Sequence, residues 1–581
     1  MPSTENVITR INPSDVVDAI LAVFITSVKS PHLAFSSIPH ETVTISKSKA
    51  MSTTKQIDAD TQHNQAVDSA SEAGAEIDSD NALLESIGYK QRIHKMVNAI
   101  LLYMHRIANL IGSYAISIMG VLGSVPASWA SPLAAGGPAT AIWAWFSGAF
   151  FSLCIALSVA ELMSAYPTSG GMYFVTKHVF PQDQVPLAAW VIGWSNFLGQ
   201  TAGAASVGYS IAQMILAAVV IGSEQEDGTF AYTPTAGVTV ALSIAILVCH
   251  GIICSFPTGK LSQIIKWFAP INLIGSVAIS VALIVLLPDK PPASKVFGDV
   301  IDGSGWNSKG FSFLIGYLSV AWTMTDYDAT GHISEELHSA AISGPVAIFQ
   351  AVLVSWFFGW LLNVALGFGA GDVATLLSTQ MGNPAAQVFY NAGGRKGGLA
   401  MWFWVILIQF FTGITALLAN TRTCFALARD EALPFSSTLR KMDSRTQTPL
   451  YSVWAVVTAC CLMNLIGLGS TQTINGIYGV TAPAMDISYI AVIAARLYYQ
   501  KEHPIAKGPF QLGRWQKPIN VIAIVWVIFI SVILFFPPTY PVTALNMNYA
   551  VAIAGFIALF AITWWYLQAK RHYTGPRVDD N

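Results

Sequence analysis

The chain has 581 residues, of which 53% are apolar and only 11% are charged, whereas an ordinary soluble domain carries about 25% charged residues. Its 30 basic and 32 acidic side chains nearly cancel, so no net field favours a nucleic-acid partner. Residues 1–106 hold 21 of these charges, and the remainder are too few to cover a soluble fold. The composition therefore predicts an all-α, polytopic protein of the lipid bilayer.

The N-terminal part of the chain differs from the rest. Residues 1–90 are rich in Ser, Thr, Asp and Glu and poor in aromatic residues, which predicts a disordered cytoplasmic tail. The apolar run from Val16 to Val28 is too short to span a membrane and lacks the features of a signal peptide. Met51 is an alternative start that would remove this run.

Uncharged stretches predict the membrane spans, because a helix needs about 20 apolar residues to cross the hydrocarbon. Two spans fit between Arg106 and Glu161, with turn signals at Pro132 and at Gly136-Gly137-Pro138. The other predicted spans comprise one each within 184–223, 228–259, 267–288, 310–334, 337–371 and 397–421, and two each within 446–495 and 518–569. The total is twelve transmembrane helices.

Basic residues predict the orientation of these helices, since cytoplasmic loops carry an excess of Lys and Arg. One set of alternate loops contains most of them, including Lys260, Arg440 and Lys517, while the opposite set has few. This places both termini in the cytoplasm, including a short C-terminal tail over 570–581.

The chain contains no Gly-x-x-x-x-Gly-Lys-Ser/Thr loop for nucleotide phosphates. His and Cys are not clustered at metal-ligand spacing, and no Ser, His and Asp arrangement stands out. We therefore predict no cofactor and no metal site. Twelve helices without a nucleotide site favour a secondary transporter, although composition alone leaves a channel or a membrane enzyme open.

Two predicted spans have features of interrupted helices, which expose backbone groups at the binding sites of transporters. The first contains small and polar residues from Gly112 to Ser124, and the sixth contains Asp326 and Asp328. They lie five helices apart, as expected if helices 1–5 and 6–10 are inverted repeats and helices 11 and 12 are appended. Two alternatives are that the small residues mark close helix packing and that the carboxylates lie outside the hydrocarbon.

Five strings along the chain match one family in the expected order. They are Glu161 to Tyr173 (ELMSAYPTSGGMY), Gly193 to Gln200 (GWSNFLGQ), Thr325 to Ala329 followed by His332 to Glu336, Arg422 to Pro434 (RTCFALARDEALP), and Gly508 to Phe510 followed by Leu512 to Arg514. Together they resemble the amino acid–polyamine–organocation superfamily over about residues 84–576. The closest resemblance is to its eukaryotic amino acid/choline transporter branch, including fungal GABA permeases and plant bidirectional amino acid transporters.

The resemblance implies a LeuT-type core of ten helices over 107–495 in two inverted repeats, with helices 1 and 6 broken and two further helices over 518–569. It implies a secondary active permease of amino acids or GABA that works by alternating access, with H⁺ as the coupling ion. A choline or polyamine transporter of the same fold and a non-transporting nutrient sensor are the alternatives. We expect the plasma membrane, with the vacuolar membrane as the alternative.

The resemblance also implies a substrate site. In relatives, free backbone N–H groups of unwound helix 1 bind the substrate carboxylate, which by position corresponds to Ala115, Ile116, Ser117, Ile118, Met119 and Gly120. The substrate ammonium would meet the sixth-helix break at Ala321, Trp322, Thr323, Met324 and Thr325, with Asp326 or Asp328 adding charge. Trp322 or Tyr327 either gates the site or packs in the core. Asn196 and Gln200, one turn apart on helix 3, either bind the zwitterion or bridge helices.

For ion coupling, the sequence indicates Asp486 within helix 10 and Asp328. A structural hydrogen-bonding role is the alternative for Asp486. Some relatives use a helix-5 lysine, but Lys266 stands at the end of that helix, where its side chain would extend to the interface. Thr412 and Thr415 indicate either a sodium site or packing. The chain departs from the family in an added apolar stretch, Met96 to His105, and in Asp326, where many relatives have Gly.

Overall fold

In the computed structural model of this chain, the described residues are 120–577 except 335, 336, 338, 470 and 545. They form nineteen α-helices in chain order. The first ten are α1 Val121–Ser128, α2 Ala130–Ala165, α3 Gly171–Val179, α4 Val185–Gly222, α5 Ala236–Cys254, α6 Thr258–Ile265, α7 Phe268–Leu286, α8 Ala293–Gly298, α9 Lys309–Ile315 and α10 Tyr317–Thr323. The others are α11 Ala329–His332, α12 Ala340–Phe368, α13 Val373–Leu377, α14 Pro384–Arg429, α15 Ser436–Leu439, α16 Leu450–Leu465, α17 Thr471–Tyr499, α18 Gln516–Phe535 and α19 Ala550–Leu567.

Ten helical segments in the described part of the chain are long and apolar enough to cross a membrane. They include α2, α4, α5, α7, α12, α14 and α16 to α19, and each overlaps a stretch where the sequence predicts a span. The all-α, polytopic class is therefore confirmed. Twelve spans in two inverted repeats stay a prediction, because most of the first predicted span lies outside the described residues and the sixth is divided into short helices.

Glycine marks two bends inside long helices. Gly137 has φ 79° and ψ −171° within α2, a conformation that residues with a Cβ rarely adopt. The bend lies at the predicted Gly136-Gly137-Pro138 turn, so Pro138 begins the second membrane segment, whereas Pro132 lies within a helical turn. Gly394, with φ 61°, divides α14 in the same way.

The end of α14 differs from the sequence prediction. We placed the end of that span before Arg422 because charged residues are costly in lipid, but the helix continues to Arg429. Arg422 is 1% exposed and Arg429 is 8% exposed. Both guanidinium groups are therefore enclosed by protein rather than by lipid.

The core of the bundle surrounds α4, which packs extensively against α14 and α17 and also against α5 and α16. A second extensive contact joins α2 and α12. Large apolar side chains are exposed on α7, α18 and α19, including Ile274, Val281, Val525, Val532 and Phe556. Exposed apolar faces of this size are characteristic of helices that contact lipid, since a soluble surface would not tolerate them.

The sixth predicted span is interrupted near its middle. Helix α10 ends at Thr323 and α11 begins at Ala329, so residues 324–328 leave the helical path. Asp326 has φ 60°, which ends the regular helix because left-handed residues do not continue it. The break lies where the sequence predicts it, and it frees backbone groups beside α4, α14 and α17.

Candidate functional site

A cavity lies beside this break and is bounded by five parts of the chain. Its walls comprise Ser124 of α1; Gln200, Gly203, Ala204 and Val207 of α4; Trp322, Thr323, Thr325 and Asp326 of the sixth segment; Thr412, Thr415 and Ala416 of α14; and Thr481 and Met485 of α17. The volume open to the centres of water molecules is about 60 Å³, which is room for about four to six waters. The cavity therefore suits a small polar ligand.

Asp326 gives this cavity an anionic wall. Its side chain is half-buried, and its Oδ1 atom is buried without a hydrogen-bond partner among the described residues. Thr323 lines the same cavity, and its Oγ1 atom is likewise buried without a hydrogen-bond partner among the described residues. A buried carboxylate oxygen without a donor is costly, so this wall is suited to a bound cation or ammonium group.

Asp328 faces away from the cavity lining. Its side chain is 1% exposed, and its Oδ1 accepts a hydrogen bond from the Tyr489 hydroxyl at 2.6 Å. His332 Nε2 lies 3.4 Å from the other oxygen, Oδ2. Tyr327 packs its ring against Tyr489 with centroids 5.5 Å apart. The two acids of the break therefore have different surroundings, one facing the cavity and one facing α17.

Asn196 and Gln200 also have different surroundings, although both are buried on α4. The Asn196 amide nitrogen donates to Ser488 Oγ at 3.3 Å, so it bridges α4 and α17 and lies outside the cavity lining. Gln200 lines the cavity, and its amide nitrogen lies 2.9 Å from His332 Nε2. Of this predicted pair, only Gln200 is brought to the cavity.

The remaining residues predicted for the break divide between the cavity wall and the core. Trp322 lines the cavity and donates from its indole nitrogen to Ser206 Oγ at 2.9 Å. Thr325 lies beside it and contacts Met485 Sδ through its hydroxyl at 3.3 Å. Met324 is buried in the hydrophobic core. Ala321 and Tyr327 are likewise absent from the cavity wall.

Of the predicted helix-1 donors, Ala115, Ile116, Ser117, Ile118 and Met119 lie outside the described residues. Gly120 is described, and its carbonyl oxygen accepts from the backbone nitrogens of Gly123 and Ser124 at 2.9 and 2.7 Å. A Cβ atom on Gly120 would lie 1.8 Å from Thr412 Oγ1. The absence of a side chain therefore allows this segment to approach the cavity wall on α14.

Of the predicted coupling and sodium residues, only the two threonines line the cavity. Asp486 is 8% exposed on α17, interacts electrostatically with Asp328 and lies outside the cavity lining. Thr412 and Thr415 line the cavity, but their hydroxyls donate to carbonyl oxygens of their own helix. Lys266 is exposed in the turn between α6 and α7. Among the described residues, no group of three or more His, Cys, Asp or Glu side chains is arranged to hold a metal ion.

Sequence reasoning assigned no role to His332, although the residue stands in one of the quoted strings. It is 2% exposed and contacts Gln200, Asp328, Thr423 and Ser169. A single histidine four residues after an intramembrane acid was the available signal. Three of its four partners come from other parts of the chain, so the local sequence does not reveal them.

A bundle of apolar helices around a cavity that contains a carboxylate at a helix break defines the class of multi-pass membrane transporters. The profile of the amino acid permease family matches residues 109–559. The chain is 42% identical to an uncharacterized amino-acid permease of Schizosaccharomyces pombe, over 86% of this chain and 90% of the relative. It is 36% identical to amino-acid permease 2 of Neurospora crassa, over 80% and 84% of the two chains.

A more distant relative is the GABA-specific permease of Saccharomyces cerevisiae, which is 28% identical over 86% of each chain. The chain belongs to the amino acid permease family and is an amino acid transporter of the membrane, not an enzyme. The resemblance to the amino acid–polyamine–organocation superfamily is thereby confirmed.

Proposed function

We propose that this transporter carries small zwitterionic amino acids, with GABA the leading candidate, together with protons. The observation that carries the proposal is the unpartnered Oδ1 of Asp326 in the cavity wall. A buried carboxylate attracts an ammonium group strongly because water does not screen the pair. The small size of the cavity and the relative named a GABA-specific permease support a short substrate.

In this proposal the substrate carboxylate binds the backbone N–H groups from Ala115 to Gly120, and its ammonium binds Asp326 and the carbonyls of Ala321 to Thr325. Trp322 closes over the substrate, while Asn196 and Tyr327 support the site from behind its walls. Asp328 and Asp486 serve ion coupling, because a coupling group must change its protonation with occupancy. Gly120 supports this geometry through its close approach to Thr412.

The larger organisation is part of the same proposal. Two inverted repeats within 107–495 would alternate access around the cavity, with the helices of 518–569 appended. We place the protein in the plasma membrane with both termini, including residues 1–90 and 570–581, in the cytoplasm. The excess of basic residues in one set of loops supports this orientation.

The test is uptake of radiolabelled GABA, neutral amino acids and choline into proteoliposomes with an inside-alkaline pH gradient. We expect accumulation of GABA or another small amino acid above its external concentration, and loss of that accumulation when a protonophore dissipates the gradient. Accumulation of choline alone would mean that the substrate is choline and not an amino acid. Binding without any uptake would favour the nutrient sensor.

A further inference from the structure

His332 is at the centre of a buried polar cluster that joins four parts of the chain. Its Nε2 atom lies 2.9 Å from Gln200 Nε2 and 3.4 Å from Asp328 Oδ2. Its Nδ1 atom lies 3.2 Å from the carbonyl oxygen of Ser169 and 3.2 Å from Thr423 Oγ1. Contacts at both nitrogen atoms therefore fix the imidazole ring, and its Nε2 atom contacts Gln200, which lines the cavity.

The partners of His332 define its tautomer. A carbonyl oxygen only accepts hydrogen bonds, so Nδ1 carries the hydrogen that points to Ser169. The Thr423 hydroxyl donates to the Ala419 carbonyl at 3.2 Å, which leaves its oxygen as a second acceptor for Nδ1. In the neutral ring, Nε2 is then the acceptor, and the Gln200 amide nitrogen donates to it.

Two acceptors beside Nε2 have no hydrogen-bond donor in the described part of the chain. They are Gln200 Oε1 and Asp328 Oδ2, and both atoms are buried. A proton added to Nε2 would convert that atom into a donor, with Asp328 Oδ2 already 3.4 Å away. The resulting imidazolium would neutralise the carboxylate, which relieves the cost of an unpaired buried charge.

Gln200 connects this proton site to the cavity. When Nε2 is unprotonated, the amide nitrogen of Gln200 points to the histidine. When Nε2 is protonated, rotation of the amide by about half a turn brings Oε1 to the histidine and moves the NH₂ group to the position that Oε1 occupied. Such a rotation is accessible because terminal amide torsions are broad. Gln200, which lines the cavity, can then donate from its NH₂ group to a substrate carboxylate.

We propose that His332 binds the coupling proton and that Gln200 communicates its protonation to the substrate cavity. This inference rests on the proposed proton-coupled transport and assigns the proton to a residue that the sequence-based proposal did not include. Because linkage is reciprocal, a substrate that binds the protonated form more tightly must also increase the proton affinity of His332. Proton and substrate are then bound together, as a symporter requires.

The charged and titratable neighbours of the cluster are consistent with this role. Asp326 and Asp328 come from the break itself, and Tyr489 and Asp486 come from α17. From α4, α14 and the segment before α3, the described contacts to the ring are uncharged: Gln200, Thr423 and the Ser169 carbonyl. The described charged side chains around the ring are therefore acidic.

The experiment measures proton uptake by the purified full-length protein in weakly buffered detergent solution when GABA is added, and the Kd of GABA from pH 5 to 9. We expect about one proton per bound substrate and a Kd that rises about tenfold per pH unit on the alkaline side. In His332→Asn the amide nitrogen can still donate to Ser169, but the residue cannot titrate. We expect this variant to bind GABA without proton uptake and with a Kd independent of pH.

Gln200→Leu is the second variant, because it keeps the histidine and removes the connection. We expect GABA to bind it at least fivefold more weakly and without proton uptake. His250→Asn is the matched control, since His250 is also a buried histidine, at 1% exposure, but lies on α5 outside the cavity lining. It should retain proton uptake per folded molecule.

The outcomes separate this inference from the proposed function. If the wild-type protein binds GABA without taking up a proton, the proposed proton coupling is wrong. If the wild type takes up a proton and His332→Asn does so equally, proton coupling stands and the assignment to His332 is overturned. Should His332→Asn fail to fold, unchanged proton uptake in Gln200→Leu would still overturn the proposed connection.

Discussion

Arg496 Nη1 donates a hydrogen bond to Glu161 Oε2 at 2.8 Å, and both side chains are buried. The second oxygen of Glu161 accepts from the backbone nitrogen of Leu512 at 3.2 Å. This ion pair therefore joins the ends of α2 and α17 to the loop before α18. Ser164 reinforces the contact, because its Oγ accepts from the Phe510 nitrogen at 2.9 Å and donates to the Ala341 carbonyl at 2.7 Å.

Removing one partner of this buried pair should destabilise the protein. We expect Glu161→Ala to lower the free energy of unfolding by about 3–5 kcal/mol, since it leaves the Arg496 charge buried without its carboxylate. Thermal unfolding of the purified protein in detergent measures the change. Glu226→Ala, at an exposed loop acid, is the matched control, and equal midpoints for the two variants would contradict the role of the pair.

Gly120 should be intolerant of any side chain because of Thr412. Gly120→Leu should abolish uptake or raise KM sharply while membrane abundance stays similar, since even a Cβ atom would lie 1.8 Å from Thr412 Oγ1. Gly120→Ala should be partly rescued by Thr412→Ala, which removes that oxygen. Gly237→Leu is the control, because nothing lies within 4 Å of a Cβ there. Normal uptake by Gly120→Leu would remove this segment from the site.

The two acids of the break should respond differently to neutralisation. Asp326→Asn should weaken the binding of substrates that bear an ammonium group at least tenfold, or by about 1.4 kcal/mol. It should have little effect on folding, because Asn tolerates the left-handed conformation at this position. Asp328→Asn should instead reduce stability, since its carboxylate accepts from Tyr489. Competition binding and thermal unfolding of the same preparations provide both values. Unaltered substrate affinity in Asp326→Asn would show that this carboxylate does not bind the substrate.

The C-terminal segment should be held against the helix bundle at neutral pH. The Tyr573 hydroxyl donates to the Tyr173 hydroxyl at 2.8 Å, and Arg577 donates to both carboxylate oxygens of Glu431 at 3.1 and 2.8 Å. Deleting residues 573–581 should increase hydrogen exchange over α3, whereas deleting residues 578–581 should not. Equal exchange in the two deletions would contradict the docking.

The same contact should depend on pH through Glu431. The hydrogen bonds from Arg577 hold the pKa of this carboxyl below its ordinary value of 4.5. Because the pKa is lowered in the docked state, the ionised Glu431 carboxylate stabilises docking fully at pH values above its ordinary pKa. This stabilisation is lost as the pH falls through the lowered pKa of the docked state. The protection of residues 569–577 from hydrogen exchange, taken relative to the intrinsic exchange rate at each pH, should therefore fall at acidic pH, and Glu431→Gln should remove that fall.

Orientation is the remaining prediction. A tag at Asn581 should be accessible only after permeabilisation, and a tag at Glu226 should be accessible on intact cells or on the lumenal side. Labelling of both positions on intact cells and after permeabilisation makes the comparison. An external Asn581 would mean that the even number of helices or the orientation is wrong.

The sequence by itself determined the features that depend on local composition. Long uncharged stretches located the membrane helices, because crossing the hydrocarbon requires a continuous apolar segment. The Gly136-Gly137-Pro138 signal located a bend, because only glycine readily adopts the positive φ that is found at Gly137. The acids at Asp326 and Asp328 indicated the break in the sixth segment for the same local reason, since a charge is costly within a helix in lipid.

Only the tertiary structure decided which of these residues meet. Asn196 and Gln200 lie one turn apart, yet one bonds to Ser488 and the other lines the cavity. The strings around Glu161 and Gly508 matched the family separately, and the fold brings them into contact through Ser164. His332 acquires three of its four partners from distant parts of the chain. Such pairings depend on how helices pack and on the exact rotation of each helix, and a local pattern of residues does not encode either.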